Sequence, residues 1–211
     1  MTTWDKIYRD YNNGGEDWAT LSENIHPLFK QFLNKSNFEF KHVLDIGCGT
    51  GKYLRFLADR GFKTDGVDSS ETAVKMAKSV LDKKTSNIKK ADMFKLRITK
   101  NSYDLIISIS TIHHGAKKDV QNLINKIHSA LANGGKIFIT LPDFESTKKW
   151  NTFYHSHKKS KNGAFYPTSG PEKGLAHSFY AKAEVQKLFA KFSGVKISLD
   201  KIGRWVVQAS K

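Results

Sequence analysis

The sequence of 211 residues suits one domain with a single hydrophobic core, because chains tend to divide into several domains only beyond about 250 residues. Its longest apolar run, residues 105–112, is short and interrupted by polar residues, which excludes a helical membrane span. A single cysteine, Cys48, excludes an internal disulfide framework and a cysteine-rich zinc site. Residues 1–6 lack the apolar stretch of a secretory signal, which predicts a cytoplasmic protein.

The formal net charge of +15 raises the question of nucleic-acid binding, because a basic surface attracts phosphate groups. Only five of the 35 basic residues are arginine, the side chain best suited to contact bases, and the lysines are scattered along the chain. The composition therefore favours a solvated, solubilising lysine surface and leaves RNA open as an alternative partner.

Short runs rich in Val and Ile alternate with amphipathic stretches, which is the pattern of strands and crossover helices in a parallel sheet. We predict strands over residues 42–46, 63–67, 88–91, 103–108, 136–141, 195–199 and 205–209. We predict helices over 52–60, 70–81, 120–131 and 182–192, with Ser70 as an N-terminal cap and residues 133–135 as a helix stop.

Two segments fall outside this alternation, and we assign both to the single domain 1–211. Residues 1–38 carry aromatic side chains at helical spacing and are predicted to form an N-terminal helical cap. Residues 143–177 combine prolines, glycines and aromatic residues in one long connection. Connections of that length are uncommon unless they bind or cover a ligand, so we predict a substrate-covering insertion.

The main chemical signal is the segment VLDIGCGTG at residues 43–51, a predicted strand that ends in alternating glycines. Glycines let a ligand approach the backbone, and the helix that follows offers free N–H groups. Gly47, Gly49 and Gly51 have the spacing Gly-x-Gly-x-Gly, which differs from the Gly-x-Gly-x-x-Gly that binds a dinucleotide pyrophosphate. Asp45 adds a carboxylate that would repel a pyrophosphate and would bind an ammonium group.

Polar residues also end the next three predicted strands. Asp68 lies about 20 residues after the glycines, where a carboxylate can hold a ribose diol. Asp92 and Met93 are placed to contact an exocyclic amine and a purine face. Ser108 is the first polar residue at the end of the fourth strand. Since ligands of open α/β sheets bind at the carboxyl ends of the strands, the sequence predicts a site for an amine, a diol and a purine.

The ordered segments VLDIGCGTG, GVD, ADMF, YDLIISISTIHH and LANGGKIFITLP resemble the class I S-adenosylmethionine-dependent methyltransferases. The resemblance implies an α/β, Rossmann-like, seven-stranded and mostly parallel sheet with helices on both faces and an antiparallel last strand. It implies S-adenosylmethionine as cofactor and S-adenosylhomocysteine as product. The cofactor-binding residues that follow from it are Asp45, Gly47, Cys48, Gly49, Gly51, Asp68, Ser69, Asp92, Met93 and Ser108.

Each of these elements also has a purely structural interpretation. The glycines can serve a turn, Asp68 can cap the helix that starts at Ser70, and Asp92 can be a solvated turn residue. A second group of candidates is aromatic: Trp4, Tyr8, Tyr11 and Trp18 either close over the cofactor or pack in the core. Tyr11 is the one that we add to the cofactor-binding candidates.

Methyl transfer from a sulfonium mainly requires that nucleophile, methyl and sulfur are held in line and away from water, so a general base is optional. His113 and His114 are the candidate catalytic residues, because histidine titrates near neutral pH and the pair follows the fourth strand. The alternative is that one of them packs in the core or caps the following helix.

Several motifs that are missing from the sequence restrict the class of methyl acceptor. The motif [DN]PP[YF] of nucleobase amino-methylating relatives is replaced by Ser-Ile-Ser-Thr at residues 108–111, and Cys48 lies in the glycine turn where it cannot attack a cytosine. Asp143 stands alone, and His155 with His157 lacks a third ligand, so we predict no metal.

The leading prediction is a methyltransferase for a small-molecule acceptor. One alternative is an RNA methyltransferase of the tRNA wobble-uridine type, to which the segments GKY and IHH are similar. The other is a cofactor-binding regulatory protein without transfer activity.

Overall fold

A computed structural model describes residues 2–11, 24–38, 41–81, 86–147, 157–161 and 163–211. Predictions on Trp18 and His155 therefore lie outside the described residues. Among the described residues, no helix has the length and apolar character needed to cross a membrane.

The elements follow the predicted alternation. The N-terminal part contains α1 (Thr3–Tyr11), α2 (Pro27–Asn34), β1 (His42–Ile46), α3 (Lys52–Ala58), β2 (Lys63–Asp68) and α4 (Glu71–Val80). The central part contains β3 (Ser86–Lys90), a 3-10 turn (Met93–Lys95), β4 (Tyr103–Ser108), α5 (Lys117–Ala130) and β5 (Leu131–Pro142). The C-terminal part contains α6 (Phe144–Thr147), β6 (His157–Lys159), β7 (Phe165–Pro167), α7 (Lys182–Leu188), β8 (Ser193–Leu199) and β9 (Arg204–Ser210).

Seven strands form one sheet in the order β3-β2-β1-β4-β5-β9-β8. The pairs β1–β2, β1–β4, β2–β3 and β4–β5 are parallel, and the last strand, β9, is antiparallel to both β5 and β8. The predicted fold class is confirmed. Strand order reverses on either side of β1, and such a switch point opens a crevice at the carboxyl ends of the strands.

Both faces of the sheet are covered, and β4 shows how the sequence achieves this. Leu105 and Ile107 pack with Phe138 on one face, whereas Ile106 packs with Ile124 of α5 on the other. Because successive side chains of a strand point to opposite faces, a strand buried on both sides needs a continuous apolar run. The run that begins at Leu105 meets that requirement, and its first three residues are fully buried.

The local start and stop signals are partly confirmed. Ser70 caps α4, with its Oγ accepting a hydrogen bond from the Ala73 N–H at 3.1 Å. The predicted stop at residues 133–135 is displaced, because α5 already ends at Ala130 and β5 starts at Leu131. Gly134 has φ +73° inside this early part of β5, and the β4–β5 register shifts between Tyr103 and Leu105. The glycines thus serve an irregular strand start.

Helix α1 is fastened to the beginning of α4 by one buried carboxylate. Asp5 Oδ1 accepts hydrogen bonds from Ser70 Oγ at 2.8 Å and from the Thr72 N–H at 3.3 Å. A carboxylate at a helix N-terminus also interacts favourably with the helix dipole. This contact fixes α1 beside the carboxyl end of β2.

A pair of leucine substitutions tests the assignment of the core. We expect Leu105→Ala to lower the free energy of unfolding by about 3 kcal/mol, because it leaves a cavity in a fully buried position. Leu199→Ala removes the same atoms from a side chain that is 45% exposed on the edge strand β8, so its effect should stay below about 1 kcal/mol. Urea unfolding monitored by circular dichroism measures both, and equal losses would contradict the assignment.

Candidate functional site

A cleft of about 1320 Å³ opens at the carboxyl ends of the parallel strands. Its floor is built by residues 45, 47–50, 67–69, 91–94 and 109–111, which lie at or just after the carboxyl ends of β1, β2, β3 and β4. Its walls come from Trp4 and Tyr8 of α1, from residues 24–27, and from Glu172, His177 and Arg204. The sheet therefore gathers residues that are far apart in the sequence around one cavity.

The turn after β1 requires glycine at two positions. Gly47 and Gly49 have φ values of +77° and +54°, a region that L side chains rarely adopt. A Cβ on Gly47 would lie 2.0 Å from Cγ2 of Thr111, and one on Gly49 would lie 2.8 Å from the hydroxyl of Tyr8. The turn thus lies in close contact with the loop after β4 and with α1.

Asp45 is buried at the floor of the cleft, with 3% of its surface exposed. Burial raises the pKa of its carboxyl to about 8, Asp68 adds to this, and Lys52 opposes it. Among the described residues, none donates a hydrogen bond to this carboxylate. Without a ligand, the group is therefore mostly protonated at pH 7, and an ammonium group beside it would favour the charged form.

Asp68 is the second buried carboxylate, at the end of β2. Its Oδ2 accepts a hydrogen bond from the Gly49 N–H at 2.9 Å, and its Oδ1 accepts one from the Ser70 N–H at 2.9 Å. Burial raises the pKa of this carboxyl, and these two N–H groups oppose the rise. Asp68 consequently links the glycine turn to the cap of α4 while still lining the cleft.

Tyr8 brings a phenol to the same place from the N-terminal helix. Burial raises the pKa of Tyr8, and the neighbouring Asp68, Cys48 and Asp45 raise it further, so the hydroxyl keeps its proton. The Cys48 thiol is also buried, with a pKa well above its usual value, and is no nucleophile. Tyr11 ends α1, and its side chain lies outside the described residues.

The end of β3 and the loop after it contribute Asp92, Met93 and Phe94. Asp92 caps the 3-10 turn, since its Oδ1 accepts a hydrogen bond from the Phe94 N–H at 2.9 Å. The Phe94 ring lies against Gly115, where an added Cβ would come within 2.3 Å of the ring. This part of the cleft is apolar with one carboxylate at its rim.

Two predicted cofactor residues do not line the cleft. Ser108 is fully buried, and its Oγ donates a hydrogen bond to the Ile46 carbonyl at 2.8 Å, which joins β4 to β1. Gly51 starts α3 with φ +84°, and an added Cβ would lie 3.1 Å from Cβ of Ala77. Both residues therefore have packing roles, because their strand or helix position turns them away from the cavity.

A cluster of histidines forms the far end of the cleft. The ring centroids of His113 and His114 are 4.0 Å apart, and those of His114 and His177 are 4.7 Å apart. Glu172 Oε2 lies 2.8 Å from Nε2 of His177, and Trp4 meets the His114 ring edge-on at 4.8 Å. Burial lowers the pKa of His114 to about 4 and that of His113 well below its usual value, so both are neutral at pH 7.

The sequence analysis missed Glu172, His177 and Arg204. Arg204 is held by Asp200, whose Oδ2 accepts a hydrogen bond from its Nε at 2.9 Å, and it also contacts Ser110 Oγ. Ser110 has φ +58°, which is uncommon for a residue other than glycine. Its N–H donates to Thr140 Oγ1 at 2.7 Å, which helps to maintain this conformation beside the cleft.

Comparison with known proteins agrees with this geometry. The sequence profile of a family described as "Methyltransferase domain" matches residues 43–135. A ubiquinone biosynthesis O-methyltransferase of Coxiella burnetii (strain Dugway 5J108-111) is 27% identical over 139 residues, which are 62% of this chain and 58% of that protein. An uncharacterized methyltransferase of Bacillus thuringiensis (strain Al Hakam) is 24% identical over 211 residues, covering 99% of this chain and 94% of that protein.

A probable tRNA methyltransferase 9B of Mus musculus is 30% identical over 134 residues, covering 63% of this chain and 28% of that protein. This chain thus matches only part of the length of some curated relatives, 58% for the Coxiella protein. Among solved structures, the PH0226 protein from Pyrococcus horikoshii OT3 superposes with a TM-score of 0.75 at 17% identity, covering 100% of this chain and 99% of that one.

Residues 43–135 thus match the methyltransferase domain family, and the solved structures with this fold include S-adenosylmethionine-dependent methyltransferases. The residues of the cleft fit S-adenosylmethionine. The carboxylate of Asp45, which receives no hydrogen bond from the described residues, suits an ammonium group, and Asp68 suits a ribose diol. The turn at Gly47 leaves no room for a side chain, as expected where a ligand meets backbone.

The raised pKa of Asp45 predicts how binding of S-adenosylhomocysteine depends on pH. Since the free carboxyl has a pKa of about 8 and the ammonium of S-adenosylhomocysteine favours the ionised form, affinity should rise by up to about tenfold per pH unit from pH 6 to pH 8. Isothermal titration in buffers of different ionisation enthalpy should show proton release on binding. In Asp45→Asn, affinity should be weaker and independent of pH in this range; a persisting slope would contradict this assignment.

The glycine turn allows a second prediction about ligand binding. Gly47→Ala should abolish detectable binding of S-adenosylhomocysteine, because the residue has φ +77° and the added methyl group would displace Thr111. Gly134→Ala is the matched control, since it has φ +73° but open space around its Cβ. Its cost should be limited to roughly 1–2 kcal/mol of stability, with affinity unchanged. Similar affinity losses in both variants would show that the turn is not at the cofactor.

Proposed function

We propose that the protein transfers a methyl group from S-adenosylmethionine to a small-molecule acceptor. The observation that carries this proposal is the enclosure of one large cleft by the chain's own segments. Its volume of about 1320 Å³ exceeds the roughly 300–1000 Å³ of ordinary ligand pockets, so it has room for a second small molecule beside the cofactor.

In this proposal, the cofactor end of the cleft binds and orients S-adenosylmethionine. Asp45 would hold the ammonium group, Asp68 the ribose, and Asp92, Met93 and Ser69 the region around the adenine, while Gly47, Cys48 and Gly49 would contact the methionine part. When bound, S-adenosylmethionine supplies an electrophilic methyl group on a sulfonium. The protein's contribution is to hold that end of the cleft rigid, because Asp68 ties the glycine turn to α4.

The acceptor end is assigned to the segments that the sequence analysis named as covers, 1–38 and 143–177. Trp4 enters the cleft from the first segment, and Glu172 and His177 enter it from the second, whereas Tyr8 lies against Gly49 at the cofactor end. Aromatic and largely buried side chains at this end would exclude water from the reacting groups. We assign His113 and His114 to activation of the acceptor, since their rings contact each other and the His114 ring contacts Trp4 and His177.

The alternative of an RNA acceptor draws on the net charge of +15 and on the similarity to the mouse protein named a probable tRNA methyltransferase 9B. The small-molecule proposal is favoured because the histidines at the acceptor end are buried, with His113 9% and His177 3% exposed. An RNA base would have to enter a site that these side chains and Trp4 already narrow.

Substitution of the two histidines tests the assignment. We expect His113→Ala and His114→Ala each to reduce kcat by about 10²–10⁴-fold while the affinity for S-adenosylhomocysteine stays within about twofold, because the rings contact the acceptor and not the cofactor. His128→Ala, on α5 outside the cleft, is the control. Transfer of radiolabelled methyl to a panel of acceptors provides the measurement, and full turnover in both variants would remove the assignment.

The same assay separates the three candidate functions. Methyl transfer to small acceptors with little dependence on salt supports the proposal. Transfer to tRNA, with binding that weakens steeply as salt rises, supports the RNA alternative, because such binding releases counterions from the phosphates. Binding of the cofactor without transfer to any acceptor supports a regulatory protein.

A further inference from the structure

We propose that His113, His114, His177 and Glu172 form a binding site for one divalent transition metal of the zinc class at the acceptor end of the cleft. The sequence analysis predicted no metal, because it considered His157 and its neighbours, and the structure brings together a different set. Three imidazoles and one carboxylate are a donor set typical of Zn²⁺ and related ions.

The distances are compatible with one ion. One donor atom from each of the three histidines can be chosen so that all lie within 4.8 Å of one another. Tetrahedral coordination with Zn–N bonds of about 2.0–2.1 Å places donors about 3.3 Å apart. The cluster therefore has to contract by about 1.5 Å at most, which small side-chain rotations can provide.

The hydrogen bonds of two histidines direct their Nε2 atoms to the shared carboxylate. Nδ1 of His114 lies 2.8 Å from the Thr111 carbonyl, and Nδ1 of His177 lies 3.1 Å from the Leu175 carbonyl. A carbonyl can only accept, so both Nδ1 atoms must carry the protons. Metal-bound histidines usually donate their other ring N–H to a carbonyl in this way.

Nε2 of each ring is then the atom that a metal ion could reach. Nε2 of His177 lies 2.8 Å from Oε2 of Glu172, and Nε2 of His114 lies 3.9 Å from Oε1 of the same residue. Both ring nitrogens therefore converge on one carboxylate, which is the arrangement that a shared ion requires. A bound cation would contact all of these atoms at once.

His113 provides an independent observation. Its side chain is 9% exposed, and its Nδ1 has no hydrogen-bond partner among the described residues. A buried ring nitrogen without a partner costs free energy, and such atoms are rare in folded proteins. Coordination of an ion would provide the missing partner, and the ring lies beside that of His114.

The backbone holds the two ligand segments together without the ion. Phe165 and His177 exchange N–H to carbonyl hydrogen bonds of 2.8 Å in both directions. The Ser178 N–H donates to the His113 carbonyl at 2.9 Å, and Ser178 Oγ donates to the Gly115 carbonyl at 2.7 Å. The site is thus pre-organised across the loop after β4 and the segment before α7.

Metal binding at this site does not depend on the proposed function. Only the role of the ion in methyl transfer rests on that proposed function. Beside the acceptor, a divalent cation would lower the pKa of a coordinated O–H, N–H or S–H group and stabilise the anion that attacks the methyl group. The histidines would then act on the acceptor through the ion. This deepens the proposed acceptor class to molecules that bear such an ionisable group.

Metal titration tests the site directly. Full-length protein freed of metal by a chelator should bind Zn²⁺ with one-to-one stoichiometry in calorimetry, and Co²⁺ should give visible ligand-field absorption of a four-coordinate site. His177→Ala and the nearly isosteric Glu172→Gln should weaken Zn²⁺ binding at least tenfold and reduce the Co²⁺ band. His128→Ala should leave both signals unchanged, since His128 contacts Phe192 away from the cleft.

Two control measurements distinguish loss of the metal site from loss of the folded structure. Thermal unfolding and S-adenosylhomocysteine binding verify that each variant is folded. Absence of one-to-one Zn²⁺ binding, or equal weakening in His128→Ala, overturns the metal site even if methyl transfer is observed. One-to-one binding lost in Glu172→Gln supports the site even if no methyl transfer is found, in which case the proposed function fails alone.

Discussion

The site depends on two carboxylates that the parallel pairing of β1 and β2 buries side by side. Burial raises the cost of ionising both groups, the charge of Asp68 adds to the cost for Asp45, and the charge of Asp5 adds to the cost for Asp68. Asp68 is compensated by N–H groups of Gly49 and Ser70, whereas Asp45 is left with Lys52 as its cationic neighbour. A carboxyl buried in this way ionises most readily beside a cationic ligand, and perturbed acids of this kind concentrate at functional sites.

Asp68 also connects the floor of the cleft to α1, which covers it. Asp68 binds the Ser70 N–H, and Ser70 Oγ binds Asp5, which anchors α1. α1 in turn places Tyr8 against Gly49, where the backbone has a positive φ. Floor, helix cap and cover therefore form one hydrogen-bonded unit, and movement of α1 would also alter the surroundings of Asp68.

The features that depend on residues close together in the chain could be predicted from the sequence. Strand β4 follows from its apolar run, Ser70 from its capping position, and the turn at Gly47 from its spacing, because each depends on neighbouring residues. Ser108 lies buried between β4 and β1, and this position could not be predicted because the strand pattern does not record its contact with the Ile46 carbonyl. His177 and Glu172 were missed because they meet His113 and His114 only after the segment before α7 folds over the sheet, and no local spacing records that contact.

The two ends of the cleft are built from different parts of the chain. This separates cofactor binding from acceptor selectivity. The cofactor end is made by residues that follow β1, β2 and β3, where backbone geometry and buried charges leave little freedom. The acceptor end includes Glu172 and His177, which lie on the connection between β5 and α7. Since connections tolerate change better than the strands they join, this end can take up a new acceptor while Asp45 and Asp68 keep their environment. The buried carboxyls of the cleft therefore suit the cofactor, and the imidazole cluster is the feature on which our proposal for the acceptor rests.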